Sequence, residues 1–337
     1  MTIPERFVVV GSGSIARRHM SNIRATYPEA SIQCVSASGR ELNISELPES
    51  VMACPSLAHA IEGGPGYAII ASPAPLHVTQ AALLLFAGFT VLVEKPLSDS
   101  LINFRSHAET LRLYNDKLAV AYNLRFMPSA AVVKAVVEST SLGSILSVSS
   151  EVGQYLPDWR PGSDYRKNVS AQRALGGGAL LELSHELDYL QWLFGRIESV
   201  YCHARTSGRL QLDVEDTVDA LMRTQEGYIV NLHMDFLQRA PVRRCKIVAE
   251  NATLEWDILE NRVVLRNGGG VDSVLHDDPE YDRNQMYVDE LNAFVDMAHG
   301  RRAPWVTLEQ GIETLRLVEA LKQSSTTSSV IVMREFQ

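Results

Sequence analysis

The chain has 337 residues, more than a single hydrophobic core usually holds, and two domains are expected. Its 46% hydrophobic and 21% charged content is that of a globular protein able to bury full cores. A net charge of −9 excludes the basic footprint of a nucleic-acid binder, so a small-molecule partner is expected, and a local basic pocket still allows an anionic one.

The first ~120 residues alternate short apolar runs with helical patterns, which reads as repeated βα units and a parallel sheet. Phe7–Val10 is a buried strand ended by glycines, followed by a helix from Ile15 to Tyr27. Ile32–Val35 and Tyr67–Ile70 are further strands, the second stopped by Ala71-Ser72-Pro73. His77–Phe86 continues as a helix that Gly88 closes as a C-terminal cap. Thr90–Val93 is the next strand and runs into Glu94-Lys95-Pro96, and Leu118–Tyr122 closes this half. From Asn123 the pattern changes. A helix over Ser129–Glu138 leads into strand-like alternation at Ile145–Ser149. Strand patterns follow at Ser199–His203, Thr217–Met222, Tyr228–His233, Arg244–Ala249, Thr253–Asp257 and Arg262–Arg266, joined by short turns, which suggests a mostly antiparallel sheet. Gly176-Gly177-Gly178 opens a helix over Leu180–Phe194, and two more helices follow at Gln285–His299 and Leu308–Gln323. Tyr287, Leu291, Phe294 and Ala298 share the face of the former that is expected to bury.

Cys34, Cys54, Cys202 and Cys245 are scattered, without a CxxC pair or ligand-like spacing to histidine, so neither a metal site nor a disulfide framework is expected. No stretch approaches the ~18 consecutive apolar residues that span a bilayer. Phe7–Val10 is too short for a secretory core, and the expected location is the cytoplasm.

Four motifs carry chemistry. Gly11-Ser12-Gly13-Ser14-Ile15-Ala16 is a GxGxxA pattern set between an apolar strand and a helix. Gly11 permits the tight turn, Gly13 lets backbone approach a pyrophosphate, Ala16 keeps helix and sheet close, and the helix N-terminus at Ser14 and Ile15 offers N–H groups to the phosphates. An NAD-specific unit normally ends its second strand with an acid for the ribose hydroxyl. Here Val35 is followed by Ser36-Ala37-Ser38-Gly39-Arg40, two hydroxyls and a guanidinium that suit a 2′-phosphate, so NADP is favoured over NAD. Lys95 stands at the carboxyl end of a buried strand, where ligands bind in open α/β sheets, and can stabilise a developing alkoxide or move a proton. Glu182 and His185 lie three apart on the expected helix and so share a face, a plausible proton relay. Between the first strand of the second half and the triple glycine, Tyr155, Trp159 and Tyr165 alternate with Arg160, Arg166, Lys167 and Arg173 in a loop rich in Gly and Pro. Aromatic faces and arginine forks there suit a sugar bearing a carboxylate or phosphate, and pairing with Asp158 and Asp164 on a solvated surface is the alternative.

Together these motifs resemble the glucose–fructose oxidoreductase, inositol dehydrogenase and MocA (Gfo/Idh/MocA) family. The resemblance spans nearly the whole chain and includes Ser72-Pro73-Ala74-Pro75-Leu76-His77 and Asn123-Leu124-Arg125-Phe126-x-Pro128. It implies that the EKP lysine, Lys95, lies by nicotinamide and substrate, and that His185 completes the site. The family usually carries aspartate four residues before that histidine, where Leu181 stands here, and counting from the glycines aligns Glu182 with it instead. Ser72, Pro73, His77, Glu94 and Asn123 are implied to border the cofactor, with Arg125, Tyr155, Trp159 and Arg166 on the substrate side. The Gly153–Lys167 stretch is similar to members acting in surface-polysaccharide or nonulosonic-acid pathways.

The expected architecture is an α/β Rossmann domain over residues 1–122, followed by an α+β domain with a mostly antiparallel open sheet over 123–337 for substrate and oligomerisation. Its C-terminal helices are free to pack back on the first domain. The expected activity is NAD(P)-dependent oxidation or reduction at a carbinol carbon of a sugar, cyclitol, sugar acid or nucleotide sugar. His185 exchanges the proton, Lys95 holds the oxygen and Glu182 tunes the pair. A homo-dimer or homo-tetramer is expected, with no membrane or nucleic-acid partner. A non-enzymatic NAD(P)-binding regulator and an NAD-dependent glycoside hydrolase are the alternatives.

Overall fold

The computed structural model describes residues 6–139 and 141–335. Two compact units divide the chain, one formed by residues up to Asn123 with Asn284–Leu315, the other by Leu124–Arg283 with the residues from Arg316 onward.

The first unit alternates strand and helix: β1 (Arg6–Val10), α1 (Ser14–Thr26), β2 (Ser31–Val35), β3 (Val51–Cys54), α2 (Leu57–Glu62), β4 (Tyr67–Ile70), α3 (His77–Phe86), β5 (Thr90–Glu94), α4 (Leu101–Arg105), α5 (Ala108–Leu113) and β6 (Leu118–Ala121). The strands form one parallel six-stranded sheet in the order β3-β2-β1-β4-β5-β6. Helices cover both faces of such a sheet, so its strands read as unbroken apolar runs; Phe7, Val8, Val9 and Val10 are all 0% exposed. The order reverses between β1 and β4, and the crevice beyond the carboxyl ends of those strands is where this fold receives ligands. Strand β3 and helix α2 were absent from the sequence expectation. The strand lies at the sheet edge with Met52 51% exposed, and α2 buries only Ala60, so neither shows a strong apolar period.

In the second unit come α6 (Pro128–Glu138), β7 (Ile145–Gly153), α7 (Ala179–Glu182), α8 (His185–Phe194), β8 (Ile197–Arg205), β9 (Thr217–Thr224), β10 (Ile229–Asp235), β11 (Val242–Ala249), β12 (Thr253–Asp257), β13 (Arg262–Arg266) and β14 (Ser273–Asp277). The chain continues through α9 (Asn284–Ala298) and α10 (Leu308–Thr327) to β15 (Ile331–Val332). A nine-stranded sheet runs β14-β13-β12-β11-β7-β10-β9-β8-β15, antiparallel apart from the parallel β7–β10 pair. One face is packed and the other wet, as in β9, where Val218, Ala220 and Met222 are buried while Asp219, Leu221 and Arg223 face out. Helices α6 and α8 close the packed face through a buried polar chain. Tyr189 of α8 stacks edge-on to Trp256 and its hydroxyl meets Ser150 at 2.6 Å, while the Trp256 indole donates to Ser129 of α6 at 2.8 Å.

Helix α9 belongs to the first unit. Leu291, Phe294, Val295 and Met297 join the core cluster that holds Phe7, Val9, Met20, Ile23 and Leu92. Of the face expected to bury, Leu291 and Phe294 do so fully, and Tyr287 and Ala298 are half-buried.

Candidate active site

The turn after β1 is shaped by close backbone approach. Gly11 (φ +119°) donates its amide to Val35 at 2.8 Å, and a Cβ there would lie 2.4 Å from the Ala71 carbonyl oxygen, so only glycine fits. Gly13 begins α1 with extended backbone, no side chain caps that end, and the first turn carries no acid. Space beside Gly13 is open, and Ser14 is exposed with Ile15 half-buried. The leading N–H groups of α1 are thus left to an external acceptor, and the helix field favours an anion there. Ala16 is 0% exposed, set against the sheet. These features fit a dinucleotide pyrophosphate. Beneath the turn, the Cys34 thiol donates to the Gly11 carbonyl at 3.2 Å, and burial pushes it up to about 11.

At the end of β2, Ser36 is buried and its hydroxyl lies 3.4 Å from that of Ser38. Arg40 turns toward the glycine loop, its guanidinium 3.4 Å from the Ser12 hydroxyl, while Glu41 is exposed. Two hydroxyls and a guanidinium therefore lie on the segment that follows β2.

The ends of β4 and β5 are tied together by His77. Its Nε2 lies 2.7 Å from the Ser72 carbonyl and its Nδ1 2.8 Å from that of Pro96, and Pro73 sits half-buried between. Burial lowers the His77 pKa, and the two carbonyl contacts oppose that. Ser72 donates to Gln80 at 2.6 Å. Lys95 is half-buried just beyond β5. Glu94 faces inward: its Oε1 contacts His19 Nε2 at 2.6 Å and its Oε2 accepts from the Lys95 amide at 3.2 Å. Asn123 is 4% exposed.

Glu290 of α9 is 0% exposed beside this cluster. Burial and then the Glu94 charge hold its pKa well above the usual carboxylate range, and the Trp305 indole opposes them. The sign for stability follows. A carboxyl that keeps its proton in the fold but loses it on unfolding makes the fold less stable as pH climbs from the unfolded value of about 4.3 toward the folded one, by at most about 1.4 kcal/mol per pH unit. Glu290→Gln removes that term, so the Tm of the variant relative to the parent is expected to rise between about pH 5 and pH 8. A difference that stays flat with pH would show that Glu290 is ionised in the fold.

In the second unit the helix expected over Leu180–Phe194 is broken. Leu183 and Ser184 interrupt it (φ/ψ −97°/22° and −63°/−7°), and the Glu186 amide reaches back only to Leu183. The premise that Glu182 and His185 share one helix face is corrected by this break. Glu182 ends α7, where its Oε2 accepts from Ser170 at 3.0 Å, whereas His185 opens α8, half-buried. Buried Ser184 sits at the join, a residue type whose side chain competes for backbone groups inside helices. The turn before α7 is fixed by Gly178 (φ +108°), where a Cβ would lie 2.4 Å from the Glu215 carboxylate that accepts from the Leu180 amide.

Arg125 forks onto buried Asp188 of α8, with Nε at 3.0 Å and Nη2 at 2.7 Å from its two oxygens, and the Trp192 ring lies 5.4 Å from the guanidinium. Arg166 likewise forks onto Asp164 and reaches Gln211, while the Arg173 amide donates to the Asp213 carboxylate and its guanidinium to the Asp213 backbone carbonyl. The Arg166–Asp164 fork is one of the two surface pairings weighed for the loop. Tyr155 carries the Arg239 guanidinium on its ring at 3.5 Å, Trp159 packs edge-on to Phe236, and Tyr165 donates to the Leu210 carbonyl. His19, Glu290 and Glu215 were not singled out from the sequence, and Tyr287 was read there only as a core residue of its helix. For Glu290 a signal existed, since an acid stands on the apolar face of a helix.

Among known proteins, the description "Oxidoreductase family, NAD-binding Rossmann fold" matches residues 5–122, and "GFO/IDH/MocA C-terminal domain" matches residues 131–255. The chain belongs to the Gfo/Idh/MocA oxidoreductases. Family and fold are those the motifs led us to expect. Levoglucosan dehydrogenase of Pseudarthrobacter phenanthrenivorans is 30% identical over 39% of this chain and 33% of its own length. Inositol 2-dehydrogenase 1 of Saccharopolyspora erythraea is 25% identical over 87% of this chain and 86% of its own. The match spans only 33% to 38% of the first relatives found. A solved structure of the WlbA dehydrogenase from Bordetella pertussis, in complex with NADH and UDP-GlcNAcA, superposes with a TM-score of 0.78 at 22% identity, covering 98% of both chains. That likeness is one of fold. Among the described residues no helix is long and apolar enough to cross a membrane.

Proposed function

We propose that this family member is an NAD(P)-dependent dehydrogenase or reductase acting at a carbinol or carbonyl carbon of a sugar-like molecule. The observation that carries the reading is the uncapped, acid-free start of α1 beside Gly11, with Lys95 beyond the carboxyl end of β5 in the same sheet. Nicotinamide, when bound, supplies hydride exchange. The chain's own residues do the rest: Lys95 stabilises the substrate oxygen, His185 gives or takes its proton, and Glu182 tunes that exchange from its contact with Ser170. The first unit is then the cofactor domain and the second the substrate domain, and self-association as a homo-dimer or homo-tetramer is part of the proposal.

The substrate class is tested by thermal stabilisation with cofactor present, comparing neutral sugars, cyclitols, sugar acids and nucleotide sugars, since a ligand that binds the native state raises its Tm. A sugar-like compound is expected to add stabilisation beyond cofactor alone. A full panel adding none would count against the reading.

The cofactor proposed is NADP ahead of NAD. It is supported by Ser36, Ser38 and Arg40 beside Ser12, with no carboxylate between Val35 and Arg40. A guanidinium–phosphate pair is among the stronger charge-assisted contacts. Arg40→Ala is expected to weaken NADPH at least ~10-fold, the scale of one charged hydrogen bond, and to leave NADH nearly unchanged. Equal dissociation constants for NADPH and NADH in the parent protein, by titration of nicotinamide fluorescence, would refute this preference.

A further inference from the structure

Behind Lys95 the first unit holds a buried polar cluster that the reaction as proposed leaves unused. His19 (1% exposed) and Glu94 (7% exposed) meet at 2.6 Å, joining the helix of the glycine turn to the end of β5. The second Glu94 oxygen accepts from the amide of Lys95, so both oxygens are committed, one to the helix and one to the peptide that carries the lysine. Tyr287 places its ring edge on His19 at 6.1 Å and takes the Arg18 guanidinium on its face at 4.6 Å. Glu290, 0% exposed, lies near enough to Glu94 for the Glu94 charge to raise its pKa. Neither Glu290 oxygen makes a well-formed hydrogen bond, and burial with the Glu94 charge raises the pKa of that carboxyl. Of the two buried acids, Glu94 is the one with side-chain and backbone partners, His19 and the Lys95 amide.

We propose that His19 is a positioning residue for Lys95. Through Glu94 it fixes the 94–95 peptide relative to α1, and so sets where the lysine side chain leaves the backbone. The inference rests on the reading of Lys95 as the residue that holds the substrate oxygen, but its test does not depend on turnover. His19 Nε2 is the contacting atom, and the amide of glutamine can present an N–H at the same place, whereas leucine fills the space and presents nothing.

The test is labelling of lysine amines in the full chain with acetic anhydride, read by mass spectrometry with Lys117 and Lys134 as internal references. His19→Leu is expected to change the labelling rate of Lys95 several-fold relative to those references, and His19→Gln to restore the parent rate. Should His19→Leu fail to fold, Glu94→Gln, which keeps the shape and removes the charge, must change the Lys95 rate in its place. A parent-like Lys95 rate in whichever of these two variants folds would overturn the proposal, as would a His19→Leu effect that His19→Gln does not reverse. Lys95→Met separates the two claims. If its turnover is normal while the labelling responds to His19, the role given to Lys95 fails and the clasp stands.

Discussion

Lys95→Met and His185→Ala are each expected to lower kcat by at least ~100-fold, the usual scale for losing a charge-stabilising or acid–base group. Methionine keeps the length and apolar stem of lysine while removing the ammonium, so the loss reads charge and not packing. Cofactor affinity should change little in either variant, because the groups proposed to hold the dinucleotide lie elsewhere, at the Gly11 turn and the start of α1. Glu182→Gln should do less than either, since Glu182 stands on a different helix from His185 and is held by Ser170. Steady-state kinetics together with cofactor titration measure both quantities. Near-normal kcat in the Lys95 or His185 variant would mean that the chemistry belongs to other residues.

Arg125→Ala is expected to destabilise the second unit by about 3–5 kcal/mol, because it strips the partner from a buried carboxylate and leaves that charge unanswered. Asp188 is 2% exposed, and burial raises its pKa more than the Arg125 charge and hydrogen bonds lower it. The raised value means that Asp188 stabilises the fold less as pH rises through it, and without Arg125, which lowers that value, the loss should extend to higher pH. The double variant Arg125→Met, Asp188→Leu replaces the pair with apolar groups of similar reach and is expected to recover much of the stability. Denaturant unfolding of the three proteins at neutral and acidic pH checks this. A single variant as stable as its parent would show that the pair contributes nothing. The same geometry explains why Arg125, placed on the substrate side from its motif, has two of its donors on Asp188.

The parallel sheet was legible because strands buried on both faces leave unbroken apolar runs, and β1, β4 and β5 end in glycine, Ser-Pro and Glu-Lys-Pro signals at the ligand edge. The edge strands β3 and β14 were not, since β3 leaves Met52 and β14 leaves Val274 51% exposed and β14 shows no burial period. The break between α7 and α8 carries no Gly or Pro, so helical spacing ran straight through Leu183-Ser184 and joined Glu182 to His185. Partners of the buried charges escaped for a different reason. His19 and Glu94 are 75 residues apart and Arg125 and Asp188 are 63 apart, and only tertiary packing brings such pairs together. The motifs showed which residue types carry chemistry. What the motifs lacked was which of those side chains already hold a protein partner.

Absorbance of the reduced nicotinamide, followed while the protein is mixed with NADP or NAD and each sugar-like compound that raises its Tm, tests the central claim most directly. The account predicts a rise in reduced cofactor matched mole for mole by oxidised sugar, and its abolition in Lys95→Met. Cofactor that binds yet stays unreduced with every compound, or a glycoside cleaved with no net change in the cofactor, would contradict it.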